Sequence, residues 1–172
     1  LFAAVIAALG ADLALAAGFQ LNETSASGLG NAFAGGAAVA EDATTLWSNV
    51  AGLSRIGSMQ VAGAIHLITP SIRFRNGYSA SATLQAQGGD GGDAGGLNVV
   101  PNLYFAMPLN PQWSVGVGLN APWGLVTEYD DGWAGRFLAV KSDIKTINVN
   151  PGASFKVNDN LALGFGINYQ RL

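Results

Sequence analysis

The chain alternates between apolar residues and small or polar residues in five segments, and no other feature restricts its fold as strongly. A period of two over about ten residues is that of a β-strand with one apolar face. The first segment is interrupted by Pro70. In the last, Leu161, Leu163 and Phe165 lie opposite small or polar residues. The predicted strands are residues 58–77, 98–107, 112–121, 143–157 and 160–170.

The connectors between these segments are alternately short and long. Residues 108–112 (PLNPQ) and 158–160 (NDN) are short, whereas residues 78–97 and 122–142 are long. Transmembrane β-barrels have short turns on one side of the membrane and long loops on the other. The pattern therefore predicts an all-β fold, a transmembrane antiparallel β-barrel. A soluble β-sandwich also alternates and is the alternative.

Composition supports a membrane protein over an ordinary soluble domain. Only 11% of the 172 residues are charged, whereas soluble domains carry about 25%. No uninterrupted apolar run reaches the roughly 18 residues that mark a membrane-spanning helix. Since only helices and closed barrels satisfy their backbone groups inside a bilayer, a barrel remains. The net charge of −3 does not indicate a nucleic-acid partner.

The first 57 residues lack the alternation. Residues 1–16 are apolar and end in Ala-Leu-Ala, which predicts a signal peptide cleaved before Ala17; a buried helix is the alternative. Residues 17–57 are rich in Gly and Ala and are expected to form a mainly helical hatch, or plug, with short helices at 25–34 and 41–47. Asp42 is expected to cap the second helix. Residues 58–172 would then be the first strands of a truncated barrel, because the chain lacks an initiator Met and ends within a strand pattern.

Residues suited to catalysis or metal binding are few. The chain has one His, His66, and no Cys, and no motif sets a nucleophilic Ser beside His66, so we expect no catalytic residue and no cofactor. Asp90 and Asp93 lie in a Gly-rich loop, where solvated carboxylates are a simpler interpretation than a calcium site. The run GLGNAFAGG (28–36) lacks a preceding strand and has Phe33 at the last Gly position of a nucleotide loop. We therefore expect no metal and no nucleotide.

Four stretches of the chain resemble the FadL family of outer-membrane channels for long-chain fatty acids and other hydrophobic compounds. They are AGFQLNE (17–23), SGLGNAFAG (27–35), AEDATTLWSNVAGL (40–53) and GWAGRF (132–137). The resemblance implies a fourteen-stranded barrel in the outer membrane of a Gram-negative bacterium. It also implies passive uptake by binding in the lumen and lateral release through the barrel wall, with a hydrophobic small molecule and membrane lipid as partners and a monomeric state.

The resemblance also implies three sets of site residues. The ligand-binding set, at the new N-terminus, is Ala17, Gly18, Phe19 and Leu21, although Phe19 alternatively only anchors the hatch. The hatch motif, Asn49, Val50 and Ala51, has Val50 where the family has Pro, which removes a fixed φ angle. The lateral opening is Pro122, Trp123 and Gly124; Pro122 removes a ladder donor and Gly124 permits unusual dihedral angles. The alternative for these three residues is an ordinary strand end with an interfacial Trp.

Other functions remain open from the sequence. Uptake of aromatic hydrocarbons is the main alternative to fatty-acid uptake. A general porin would have many charged residues in its lumen, whereas the expected lumen positions are Gly, Ala, Asn and Ser. A structural surface barrel and an outer-membrane acyl hydrolase using His66 are further rivals. Trp113, Trp133 and Tyr104 are expected to be interfacial aromatic residues.

Overall fold

The computed structural model describes residues 18–77 and 88–172. The predicted signal peptide, Ala17 and part of the predicted loop 78–97 lie outside these residues. In the described residues no helix is both long and apolar enough to cross a membrane.

Eight strands account for most of the described regular structure. They are β1 Gln60–Ile68, β2 Asn98–Pro108, β3 Trp113–Asn120, β4 Gly124–Glu128, β5 Lys141–Lys145, β6 Ile147–Lys156, β7 Ala162–Gly166 and β8 Tyr169–Arg171. The sheet order is β1-β2-β3-β6-β7, with β8 also paired to β6, and every pairing is antiparallel. β4 and β5 form a separate two-stranded ladder.

All five predicted strands exist, but their bounds differ from the prediction. β1 ends at Ile68, before Pro70, and does not continue to residue 77. The predicted long loop 122–142 is wrong in part, because it contains β4 and the start of β5. The predicted strand 143–157 is divided at Thr146 between two ladders.

The last predicted strand is divided because of Pro151 on the neighbouring strand. The register is the same on both sides of the break, with Gly152 opposite Gly166 and Val149 opposite Tyr169. Pro151 accepts a hydrogen bond from Ile167 N–H at 3.0 Å. It has no N–H with which to bond back, so the ladder is interrupted there and β7 and β8 follow one line.

The two faces of the sheet have opposite environments. The apolar face is bare: Val61, Ile65 and Phe165 expose 69%, 71% and 63% of their surface. The small and polar face is covered, and Asn148 and Ser154 are completely buried. A soluble sandwich would bury its apolar face instead, so this inversion is typical of strands that face lipid outward. Tyr104 is also fully buried on the covered face, so its expected interfacial position is wrong.

Residues 18–57, here the covering segment, pack on the small-residue face of the sheet. The segment contains α1 Ala26–Leu29, α2 Thr45–Ser48 and a 3₁₀ helix, Val50–Arg55. Its core with the sheet consists of Ala43, Leu46, Leu53, Ile56, Tyr104 and Ala106. Both α-helices are shorter than expected. Asp42 is not the helix cap, because Thr44 holds that position; Asp42 instead accepts from Thr44 N–H at 2.8 Å in the preceding turn.

Glycines on the covered face allow this close packing. A Cβ on Gly152 would lie 2.7 Å from Leu46 Cδ1 and 2.9 Å from Val50 Cγ1. A Cβ on Gly164 would collide with the backbone of Ala51. The covering segment therefore sits against bare backbone, at positions where any side chain would push it away from the sheet.

The Gly-rich run of the covering segment contains backbone strain. Ala32 and Phe33 have φ angles of 53° and 62°, in the left-handed region that a bulky residue rarely adopts. Phe33 N–H donates to Gly28 C=O at 2.8 Å, and the Phe33 ring lies over Gly28. Phe33 thus adopts a glycine-like conformation at a position that a nucleotide loop would give to glycine.

Candidate functional site

The ladder between β3 and its neighbour is interrupted at residues 121–123, here the strand interruption. Asn120 pairs with Asn148, and the next ladder begins with Gly124 opposite Lys145. Three residues, 121–123, therefore face two, 146 and 147. One extra residue on one strand is a β-bulge, which bends the strand and leaves backbone groups without ladder partners.

Thr146 satisfies part of the backbone at the strand interruption. Its Oγ1 accepts from Trp123 N–H at 3.0 Å and donates to Trp123 C=O at 2.6 Å. Thr146 N–H also donates to Trp123 C=O at 3.2 Å. Thr146 is only 3% exposed, so the interaction is shielded from water.

Residues 19–21, here the edge tripeptide, satisfy two further backbone groups of the wall. Gln20 forms an antiparallel bridge with Trp123. Leu21 N–H donates to Pro122 C=O at 2.9 Å, and Gly124 N–H donates to Phe19 C=O at 3.0 Å. The edge tripeptide therefore lies along the strand interruption like a short added strand.

Two of the three sets predicted from sequence are thus brought together. Phe19 and Leu21 of the ligand-binding set bond directly to Pro122 and Gly124 of the lateral-opening set. The Leu21 side chain approaches to 3.4 Å from where a Cβ on Gly124 would be. Ala17 lies outside the described residues. The roles of these residues stay predictions.

A cavity of about 220 Å³ opens beside the edge tripeptide. It is lined by Leu21 but not by Phe19, which is 46% exposed. Two acidic residues, Glu41 and Asp42, also line it, and no Lys or Arg of the described residues does. The volume is below the roughly 300 Å³ of common ligand pockets. Further apolar lining comes from Phe33, Val39 and Trp47.

The predicted hatch motif lies at a different place, against β6 and β7. Asn49 Nδ2 donates to Ala37 C=O at 2.8 Å, and Asn49 Oδ1 accepts from Ala51 N–H at 3.2 Å. Asn49 thereby caps the 3₁₀ helix and ties it to an earlier part of the covering segment. The Val50 methyl groups enter the space above Gly152 and Gly166.

A chain of side-chain amides crosses the covered face of the sheet near the strand interruption. Asn148 Nδ2 donates to Asn120 Oδ1 at 3.1 Å, and Asn120 Nδ2 donates to the Tyr104 hydroxyl at 3.0 Å. Two further amides reach the covering segment: Asn102 donates to Glu23 C=O and Asn150 to Leu46 C=O, each at 3.4 Å. The side-chain oxygens of Asn102, Asn148 and Asn150 have no hydrogen-bond partner among the described residues.

Two further candidate residues, His66 and Asp93, form hydrogen bonds within the fold. His66 is buried, and its Nε2 lies 2.9 Å from Asn102 Nδ2. Asp93 accepts from Ser71 Oγ, Ile72 N–H, Arg73 Nε and Gly95 N–H, which uses its oxygens without a metal ion. Within residues 18–77 and 88–172, no cluster of three or more His, Asp or Glu side chains is arranged to hold a metal.

The GWAGRF motif packs the two outer loops together. Trp133 stacks on Tyr129 with ring centroids 4.0 Å apart and meets Phe74 edge-on at 5.6 Å. Gly89 N–H donates to Gly132 C=O at 3.1 Å. The motif therefore builds the loop structure around Trp133 and is not expected to act as an interfacial belt.

Sequence reasoning missed Thr146 and the amide chain as site residues. Thr146 is two residues before Asn148 and four before Asn150, and it lies on the same covered face. Its relation to Trp123 depends on the extra residue in the opposite strand. In the sequence, the pattern Pro-Trp-Gly at residues 122–124 is the feature that indicates an irregular strand at this place.

Comparisons with known proteins agree with this architecture. Residues 7–172 match the family described as outer membrane protein transport protein (OMPP1/FadL/TodX). Outer membrane protein P1 of Haemophilus influenzae (strain ATCC 51907 / DSM 11121 / KW20 / Rd) is 36% identical over 96% of this chain and 38% of its own length. The long-chain fatty acid transport protein of Escherichia coli (strain K12) is 32% identical over 96% of this chain and 36% of its own length.

A solved structure has the same fold. The crystal structure of a Pseudomonas aeruginosa FadL homologue superposes with a TM-score of 0.69 and 29% identity, covering 89% of this chain and 37% of that chain. The chain thus spans a little over a third of the length of these relatives.

Proposed function

The chain belongs to the OMPP1/FadL/TodX family of outer membrane transport proteins, and from this premise we propose that it forms the hatch and first wall strands of a channel for passive uptake of long-chain fatty acids. The covering segment is the hatch. The ligand enters from the outer loops, binds beside the hatch and leaves sideways through the strand interruption into the membrane.

One observation carries this proposal: the edge tripeptide is hydrogen-bonded to the strand interruption. The seal consists of two backbone hydrogen bonds, from Leu21 N–H and to Phe19 C=O. Each is worth about 0.5–1.5 kcal/mol net, so together they hold the tripeptide with about 1–3 kcal/mol. Burial of a methylene contributes about 0.8 kcal/mol, so a ligand of roughly 16 methylenes gains up to about 13 kcal/mol before ordering costs. Displacement requires the ligand to bind the open state more tightly than the closed state by more than about 1–3 kcal/mol, which corresponds to the additional burial of up to about four methylenes.

The covered face argues against a general porin. Among the described residues, the buried polar side chains are Ser, Thr, His and Asn, without a buried Asp, Glu, Lys or Arg. The hatch also fills the space above this face. A route for hydrophobic molecules needs no charged lumen, whereas a route for hydrophilic solutes does.

Uptake of aromatic hydrocarbons is the second candidate, and the small cavity favours it. The lining contains Phe33 and Trp47 and two carboxylates but, in the described parts of the chain, no basic residue to hold a fatty-acid carboxylate. A neutral aromatic molecule would need none. The relatives are named as transport and outer membrane proteins, and we propose no enzymatic activity.

A disulfide between the edge tripeptide and the wall tests the gate. The bridge between Gln20 and Trp123 is flanked by its two hydrogen bonds, so it is a non-hydrogen-bonded pair with Cα atoms about 4.5 Å apart. That separation suits a disulfide, and the 172 residues contain no native Cys that could compete. We expect the Gln20→Cys/Trp123→Cys variant of the full-length protein to take up labelled oleate slowly when oxidised. Reduction should restore uptake.

Each single-Cys variant is the control for the loss of the native side chain. Equal uptake by the oxidised and reduced double variants would contradict gating by the edge tripeptide. Absence of oleate uptake by the wild type, in cells without their own fatty-acid channel, would contradict the fatty-acid substrate. Uptake of labelled toluene by the same cells would then favour the aromatic alternative.

A further inference from the structure

The backbone groups at the strand interruption are held by two independent partners. Among the described wall residues, the edge tripeptide bonds to Pro122 C=O and Gly124 N–H. The residue between them, Trp123, has its N–H and C=O bonded to Thr146, at 3.0 and 2.6 Å from the hydroxyl. Because Thr146 belongs to the wall, this second set of bonds does not depend on the edge tripeptide.

We propose that Thr146 is the positioning residue of the lateral exit: its hydroxyl holds Trp123 in the register of β4 and β5, beyond the extra residue of the bulge, so that the wall stays interrupted after the edge tripeptide has withdrawn. This inference rests on the proposed function, since it assumes that the strand interruption is the exit. On this proposal, the wall fixes the shape of the exit, and the edge tripeptide closes it.

Position and chemistry both suit Thr146 to this role. It is the one residue between the end of β5 at Lys145 and the start of β6 at Ile147, where the register changes by one. A hydroxyl can both accept and donate, so a single atom satisfies both backbone groups of Trp123. Thr146 is almost completely buried, and water therefore does not compete for these bonds.

Loss of the hydroxyl would leave the exit without a fixed shape. Trp123 N–H would then have no acceptor beside a lipid-facing surface, where an unsatisfied amide is strongly unfavourable. Continuing the register of β3 and β6 would not restore this bond, because the even-numbered residues of β3 bond to β6 and Trp123 N–H would face away from it. Residues 121–123 would therefore rearrange and narrow the exit, although the hatch and its cavity are unchanged.

The test compares Thr146→Val, which keeps the branched shape, with Thr146→Ser, which keeps the hydroxyl, in the full-length protein. Thr127→Val, in β4, is the matched control for the same chemical change outside the strand interruption. We expect Thr146→Val to lower the maximal rate of oleate uptake about tenfold, with half-saturation unchanged within about twofold, which separates release from binding. Thr146→Ser and Thr127→Val should retain at least about half of the wild-type rate.

A second measurement does not depend on the substrate. In a variant lacking residues 19–21, hydrogen exchange should be fast at Gly124 but slow at Trp123, and adding Thr146→Val should make Trp123 exchange fast as well. Unchanged protection of Trp123 in that combined variant would overturn the proposal, as would an equal loss of binding and uptake in both Thr146 variants. If the wild type transports no oleate, the proposed substrate fails, and hydrogen exchange still decides the role of Thr146.

Discussion

At the scale of single residues, the conformation and packing of one turn in the covering segment depend on the residue at the first position of its 3₁₀ helix. Val50 holds that position, where a backbone N–H has no helical partner and proline is favoured. Asn49, with φ −160° and ψ 97°, already has the extended conformation that a following proline requires. The valine therefore does not loosen this turn; its methyl groups instead fill the space above two glycines of the sheet.

Val50→Pro is accordingly expected to be tolerated. The fixed φ angle stabilises by about 0.4–1 kcal/mol through the unfolded chain, which offsets part of the lost methyl packing. The free energy of unfolding should change by less than about 1 kcal/mol, measured by urea denaturation of the purified protein. Ala51→Pro is the control, because it removes the N–H that donates to Asn49 Oδ1. It should lower the free energy of unfolding by about 1 kcal/mol or more. An equal effect of both substitutions would contradict this account of Val50.

At the scale of elements, the outer loops are tied to the end of β1 by one carboxylate. The Ser71 hydroxyl, the amides of Ile72 and Gly95 and the Arg73 guanidinium hold the pKa of Asp93 well below its usual range. Ala94 N–H donates to Ile72 C=O, and Glu128 N–H donates to Ala94 C=O. The loop after residue 88 is therefore joined to both the first strand and the β4–β5 hairpin.

The contribution of Asp93 should depend on pH in a defined direction. Because its pKa is lower in the folded protein than the ordinary 3.8, its ionised form is the one that the fold stabilises. The contribution is complete above about pH 4 and is lost as the pH falls through the lowered pKa. Hydrogen exchange at residues 71–73 and 93–95 should be faster in Asp93→Asn than in the wild type at about pH 6. The two proteins should converge in acid.

Asp143→Asn is the control for this experiment. Asp143 also pairs with a basic residue, Lys145, and exposed pairs of this kind contribute little. Asp93 differs because it also accepts from the Ser71 hydroxyl and from the amides of Ile72 and Gly95. A difference between the wild type and Asp93→Asn that stayed constant from neutral to strongly acidic pH would contradict the role of the Asp93 charge.

At the scale of the whole molecule, the sheet separates lipid from a filled interior. Val117 is near the middle of β3 on the apolar face, paired with Phe105 and Pro151, and is 43% exposed. The aromatic pair Trp113 and Phe155, with centroids 4.9 Å apart, lies at the short-turn end of the same strands. This is the arrangement of an apolar band with an aromatic border.

Val117→Arg should therefore destabilise the protein in a bilayer. An arginine near the midplane on the lipid face costs about 2–4 kcal/mol, whereas near the interface it costs about 0–1 kcal/mol. Ser142→Arg, in the outer hairpin, is the control. The fraction of folded protein in lipid vesicles, measured by gel mobility without heating, should fall for Val117→Arg alone. Equal folding of both variants would contradict a lipid-facing position for Val117.

The strands and their faces could be predicted from sequence because each depends on a property of single residues. In β3 and β6 every second side chain is apolar, and the period of two assigns each residue to a face without knowledge of its partners. Likewise the lack of alternation in residues 18–57 predicted a segment outside the sheet. Alternation alone did not separate a barrel from a sandwich; the exposure of Ile65 and the burial of Asn148 did.

Only the tertiary structure decided how the candidate site is assembled. Residues 19–21 meet the strand interruption through backbone hydrogen bonds between positions about a hundred residues apart, and backbone groups leave no trace in the side-chain pattern. The division of residues 122–157 between two ladders depends on a one-residue change of register. Register is a relation between two strands, so Thr146 became a site residue only when the strand opposite carried one residue more.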